Sequence, residues 1–227
     1  MGRGSSGGRG SVGAGGKQLM TLEVGEDVID LTNSPLTYGQ KDAALTGEAR
    51  KAVEAFEDKR WKNKIEYSQL IKNDGTVVES NKGGKGSVAS SIWAHNQADV
   101  LTHNHPREPG VIGGTFSPGD LNNFSKFKQT TYRATAKEGT YSISKGTNFD
   151  SKLAGAYNLF AKKNAADLSA KAKDLTKSFK DKKITYEQYR KSYRGLVNEN
   201  LVNYHNWLLS NQKTYGYTYT LEGRATK

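Results

Sequence analysis

A mixed α/β domain is the fold this sequence predicts. Its strands and helices do not strictly alternate (α+β), so the expected architecture is a mixed sheet flanked by helices, with a basic helical hairpin appended. Three observations lead there. Residues 64–71 and 76–79 are alternating runs on either side of Asn73-Asp74-Gly75, a hairpin signal expected to form a type I′ turn. Residues 45–63 place Ala49, Val53, Phe56 and Arg60 at helical spacing among good helix formers. Residues 151–213 hold enough Ala, Lys and Tyr for two long helices, and Tyr215–Leu221 then alternates as a strand. Elements mixed in this way bury their apolar faces as a sheet covered by helices.

In chain order, residues 1–16 are half glycine and predict a disordered tail with no core to bury. Residues 17–44 carry two short apolar patches, around Leu19-Met20 and Val28-Ile29, and predict a docking segment. Residues 45–150 form the expected catalytic-type domain, which begins with the helix and the hairpin already described. The Lys82–Gly86 stretch lacks the spacing of a phosphate-binding loop and reads as a turn. Residues 87–97 are ambiguous between strand and helix. Residues 132–136 and 141–144 read as a further hairpin about Lys137-Glu138-Gly139. In the helical pair of 151–213, Leu153, Tyr157, Phe160, Leu168 and Phe179 mark the first helix. Thr185 and Gln188 form a capping box that starts the second. Residues 214–227 supply a returning strand and a C-terminal tail.

Composition excludes several classes. The chain has no cysteine, so disulfides and thiolate metal sites are ruled out. No apolar run approaches the roughly 20 residues that span a bilayer, and the N-terminus lacks the apolar core of a secretory signal. No membrane partner is expected. The net charge of +11 is unevenly placed: residues 151–227 hold 15 Lys and Arg against 6 Asp and Glu, and the other 150 residues are nearly balanced. Such a basic pair can contact a polyanion through 151–213, although a solvated lysine surface is the commoner meaning of this pattern.

The residues that carry chemistry lie between Ala98 and Phe124. An apolar run, Val100-Leu101, delivers His103 and His105, and Pro106 stops it. Residues two apart on a strand share a face, so the two imidazoles project together. Ser117-Pro-Gly-Asp120 follows as a helix start and brings a carboxylate. Two imidazoles and one carboxylate are a three-ligand set that leaves a position open at a catalytic zinc. Taken singly, each residue has a plainer role. His-Asn-His-Pro can be a polar loop, Ser117 and Asp120 a helix cap, and Glu79 a surface carboxylate at a strand end. His95 is an optional further ligand or a packed histidine, and His205 reads as structural.

His103-x-His105-Pro followed by Ser117-x-x-Asp120 resembles the JAB/MPN (JAMM) metalloprotease motif, including its RadC-like bacterial and phage branch. The resemblance covers residues 64–145 and implies a cytidine-deaminase-like fold holding one zinc ion on His103, His105 and Asp120. It implies an upstream glutamate as proton carrier, assigned to Glu79, with Glu66 as the alternative, and Ser117 as a donor to the oxyanion. The implied reaction is zinc-dependent hydrolysis of a peptide or isopeptide bond in a protein or peptide substrate. Eleven residues, Pro106–Phe116, separate His105 from Ser117, more than the family pattern has. The Gly/Arg-rich tail is similar to those of phage-encoded proteins. It implies a place in the bacterial host cytoplasm or the phage virion, with a phage structural protein as partner. A non-catalytic accessory protein of a phage particle, a toxin-like effector and a nucleic-acid-associated protein are the competing readings.

Overall fold

The structure is a computed structural model of the 227-residue chain. It describes residues 17–24 and 27–223, so the glycine-rich tail of 1–16 and the last four residues lie outside it. Four short strands come first: β1 (Lys17–Leu19), β2 (Thr21–Val24), β3 (Asp27–Asp30) and β4 (Leu36–Tyr38). β1 pairs antiparallel with β4, and β2 with β3. Ile29, Leu31 and Leu36 of this segment are fully buried in the main core. Helix α1 (Gly47–Arg60) has Glu48 in its first turn and Lys59 and Arg60 in its last, each suited to the helix dipole. Its buried stripe is Ala49, Val53, Phe56 and Glu57. Arg60, expected on that stripe, instead lies over the Tyr67 ring at 3.9 Å.

β5 (Tyr67–Ile71) and β6 (Val77–Lys82) form the expected hairpin, with a register shift beside its turn. The turn differs from the I′ expectation. Gly75 alone takes a positive φ there, whereas a I′ turn needs one at both central residues. Residues 87–97 resolve into an extended stretch and a short helix, α2 (Ile92–Gln97), capped by the Ser91 side chain. β7 (Val100–Asn104), α3 (Pro118–Lys126), β8 (Thr131–Thr135) and β9 (Thr140–Lys145) follow. The long helices α4 (Leu153–Lys180) and α5 (Tyr186–Tyr215) pack on each other, and left-handed Gly216 ends α5. β10 (Tyr217–Glu222) then returns to the sheet.

The sheet is six-stranded and mixed, in the order β10-β9-β8-β7-β5-β6. β7 and β8 are its parallel pair, and the loop and helix α3 connect them. The alternation of the strands separates its two faces. One face carries Leu70, Leu101, Tyr132, Ile143 and Tyr219, all buried in the main core. The other carries Thr102, Arg133, Ser142 and Ser144, a polar strip that would be an unlikely floor for a core. It is buried because charged partners cover it: the Arg133 guanidinium donates to the Glu57 carboxylate of α1 at 2.7 Å and to that of Glu222 at 2.8 Å. Asp42 accepts from the hydroxyls of Ser142 and Ser144 at 2.7 and 2.6 Å. Helices therefore flank a mixed sheet on both faces, and β7 and β8 lie in its middle with side chains buried on each side.

Candidate metal centre

β7 is buried at every position, from Val100 to Asn104. His103 lies opposite Ser68 of β5 and beside Ala134 of β8, on the face that carries the core. His105 continues one step past the strand, where its N–H still donates to the Thr135 carbonyl at 2.9 Å, so both imidazoles keep the same side. Their Nε2 atoms face each other at 2.8 Å. The third group comes from α3, whose start is a full capping box. Ser117 Oγ accepts from the Asp120 N–H at 3.2 Å, and the Asp120 carboxylate accepts from the Ser117 N–H at 2.8 Å. That box aims the Asp120 carboxylate at the histidines, with oxygens 3.6 Å from His103 Nε2 and 3.9 Å from His105 Nε2. One donor atom from each of the three residues falls within 4.8 Å of the others, a group that could hold a metal ion.

The electrostatics of the group are those of three ligands crowded together. Burial alone would raise the Asp120 pKa, but His103 and His105, with hydrogen bonds from His103 and Ser117, hold it well below the usual range. Burial opposes charge on His103, and Asp120 overcomes this, so its pKa is raised above 6.5. Burial and the charge of His103 push His105 down to about 3. Asp120 is therefore biased toward its ionised form, and His103 is the more basic of the two imidazoles.

The long segment after His105 is packed tightly. Residues 110–116 are all buried. The Glu138 carboxylate accepts the N–H groups of Gly113 and Gly114 at 2.9 and 2.8 Å and the Tyr141 hydroxyl at 2.7 Å. Asn198 of α5 accepts from Ile112 N–H and donates to the Gly110 carbonyl, both at 3.0 Å. A Cβ on Gly113 would lie 2.2 Å from that of Ala136, so only glycine fits there. The Gly114 carbonyl, held in this way, lies 3.0 Å from His105 Nδ1 and accepts its proton when Nδ1 carries one. That bond leaves the Nε2 lone pair of His105 facing the group, the usual arrangement behind a metal-ligating histidine.

A groove of about 660 Å³ opens onto the three residues. Glu66, one residue before β5, lines it. Ser68 faces His103, and Glu66, two residues back, shares that face at the level of His105. Burial raises the Glu66 pKa, with the charge of His103 opposing. Glu79, the proton carrier expected from the sequence, is not brought into the group. It pairs with Leu70 on edge strand β6, two strands and about 10 Å from β7. Its carboxylate accepts from the Ser91 N–H at 2.9 Å and the Asn81 amide at 2.6 Å, which fixes the start of α2. Ser117 is at the group, but its hydroxyl donates to Asp120 at 2.7 Å, so it orients the ligand in this conformation. His95 lines the groove, stacked on Phe127 at 4.2 Å, outside the ligand group. His205 contacts the Tyr219 hydroxyl and the Thr37 carbonyl at 2.8 and 3.1 Å, tying α5 to β10 and the N-terminal segment. The Tyr132 hydroxyl, at the groove, is buried with no hydrogen-bond partner among the described residues.

Alternation within the short run from Lys64 was the signal for Glu66. Glu138 and Asn198 gave no local signal, because their partners lie 24 to 88 residues away. No protein-family model matches this chain, and no curated protein or solved structure is found to be similar to it.

Proposed function

We propose that the chain is a zinc-dependent hydrolase of peptide or isopeptide bonds, with a fold of the JAB/MPN metalloprotease type. The observation that carries this reading is the buried His103, His105 and Asp120 group, open to a groove that Glu66 also lines. The donor set suits zinc. Two neutral imidazoles and a carboxylate are among its usual catalytic ligands, and a tetrahedral ion keeps such donor atoms roughly 3.3 Å apart. The pairs here, at 2.8, 3.6 and 3.9 Å, bracket that spacing. When bound, zinc supplies Lewis acidity and a water acidified toward about pH 7.

The chain's own residues do the rest. Glu66 is a buried carboxylate whose raised pKa suits a group that accepts a proton and later returns it to a leaving amine. Gly114 orients His105, and the capping box orients Asp120. Ser117 has one hydroxyl proton; turning it from Asp120 toward the groove would serve a developing oxyanion. Arg107 lines the same groove, exposed, and extends it beyond the ligands. The link to phage particles rests on the tail of residues 1–16, outside the described residues.

The test is hydrolysis of a panel of peptides and lysine-linked isopeptides by zinc-loaded protein. Glu66→Gln should keep the metal and lose about 10²- to 10⁴-fold in rate. A Glu66→Gln variant as active as the parent would remove Glu66 from the mechanism. If the zinc-loaded parent cleaves nothing, the reading as a non-catalytic partner-binding protein takes its place.

A further inference from the structure

Helices α4 and α5 are built in two parts. All the buried residues of α4 fall within Leu153–Asn164, and those of α5 run from Asn198 to Leu208. Between residues 165 and 197 neither helix buries a residue. The outer part of α4 spans roughly 24 Å at 1.5 Å per residue. On one side α5 faces the β2–β3 hairpin across an open cleft. On the other, α4 and α5 enclose a shallow groove floored by small residues, including Ala165, Ser169 and Ala172.

Charge is concentrated in this outer part. Residues 171–194 contain nine Lys and Arg against three Asp and Glu. Near the sheet the charges are paired, since Lys171 meets Asp167 at 3.0 Å and Glu199 at 2.8 Å. Further out Lys183 meets Asp181, which also lines the groove, at 3.7 Å, but three lysines stand apart. Lys173, Lys177 and Lys180 line the groove at i, i+4 and i+7, and none has a carboxylate partner among the described residues. Like charges at that spacing destabilise a helix. A row built for helix stability or solubility would alternate in sign, as Asp167 and Lys171 do. Two exposed tyrosines stand nearby: Tyr193 lines the same groove, and Tyr186, 61% exposed, lines the cleft on the other side of α5.

We propose that this outer half of the hairpin binds the phosphate backbone of a nucleic acid, with Lys173, Lys177 and Lys180 as its cationic row. Repeated cations at helical spacing match a polymer with a phosphate at every step, and exposed tyrosines offer faces on which unpaired bases stack. A membrane surface fits less well, because an interfacial helix needs a broad apolar face and this row borders small and polar residues. The inference does not depend on the metal centre.

The experiment uses the full chain, without added metal, and a fluorescent single-stranded oligonucleotide followed by anisotropy at 50 and 200 mM salt. A duplex, a poly-glutamate peptide and anionic vesicles serve as competitors. Binding of the oligonucleotide should weaken at least tenfold across that salt range. The triple variant Lys173→Gln, Lys177→Gln, Lys180→Gln should lose at least a further tenfold and flatten the salt slope by about two to three. It should melt as the parent does, since all three side chains are exposed. No binding at 50 mM salt would overturn the proposal. So would a triple variant that binds like the parent, or a parent that prefers poly-glutamate or vesicles to either nucleic acid.

Discussion

β7 and β8 bury an ionisable cluster on each face, and the two clusters are satisfied in opposite ways. Beneath the sheet, the Arg133 guanidinium is shared between Glu57 and Glu222 through four hydrogen bonds of 2.7 to 3.0 Å, and Thr102 and Thr140 take part at 3.2 Å. Every charge there has its partner within the chain. Above the sheet, two imidazole Nε2 atoms lie 2.8 Å apart before a single carboxylate, whose oxygens are 3.6 and 3.9 Å from them. The lower cluster is closed by its own hydrogen bonds, whereas the upper one sets donor atoms of three residues facing one another at a spacing that could hold a metal ion. The same strands supply both because alternation sends Thr102 and Arg133 one way and His103 and Tyr132 the other.

Breaking the lower cluster should cost the most. Arg133→Met leaves Glu57 buried without its cation and Glu222 with Arg50 alone, at 3.7 Å, which should destabilise the metal-free protein by about 3–5 kcal/mol in urea unfolding. Asp120→Asn, judged the same way, should cost less than half as much, because Asp120 is partly exposed and its contacts to His103 and His105 are longer, at 3.6 and 3.9 Å. Equal losses would mean that the clusters do not differ as described. Next in size is Glu138→Gln. It places an amide donor against the N–H groups of Gly113 and Gly114 and loosens the carbonyl behind His105. Zinc affinity should fall about 10- to 100-fold, read by competition with a chelating dye. An unchanged affinity would free the long loop of any part in the site.

Acid should separate the clusters. His103 has a raised pKa, so zinc must displace its proton, and affinity should fall by up to about tenfold per pH unit below that value. In the metal-free fold the same proton stabilises, fully below about 6.5, and this contribution fades as pH rises through the folded value. Burial would raise the Glu222 pKa, but Arg133 holds it below 4.5. Its stabilisation is therefore full above that value and lost only as pH falls through the lower folded one. On acidification zinc should leave at a higher pH than the one at which the fold is lost, an order that parallel metal-binding and circular-dichroism titrations can show. Smallest is Glu79→Gln. Losing one acceptor at the start of α2 should cost about 1 kcal/mol in thermal unfolding and leave hydrolysis untouched. A large loss of hydrolysis would return Glu79 to the mechanism.

Local signals made the mixed sheet, its helices and the three candidate ligands legible. Alternation revealed Lys64–Ile71 and Tyr215–Leu221, and spacing alone put His103 and His105 on one face. The capping boxes at Ser117 and Thr185 stand where residue pairs three apart marked them. What escaped depends on register between strands. Glu66 and Glu79 both share the face of His103, and only the pairing of β5 with β7 puts one beside the ligands and leaves the other two strands away. Arg133 gave no sign of burial in its Tyr-Arg-Ala-Thr run, since its partners lie 76 and 89 residues away. What holds the eleven-residue loop was hidden for the same reason, because Glu138 and Asn198 lie 25 and 86 residues from the groups they bind.

The most direct test of the account is zinc binding to the purified chain, measured by elemental analysis and calorimetry beside His103→Ala. The account predicts one equivalent of zinc in the parent and none in the variant, with both proteins folded. A parent that takes up no zinc at neutral pH, or a variant that still holds one equivalent, would contradict it.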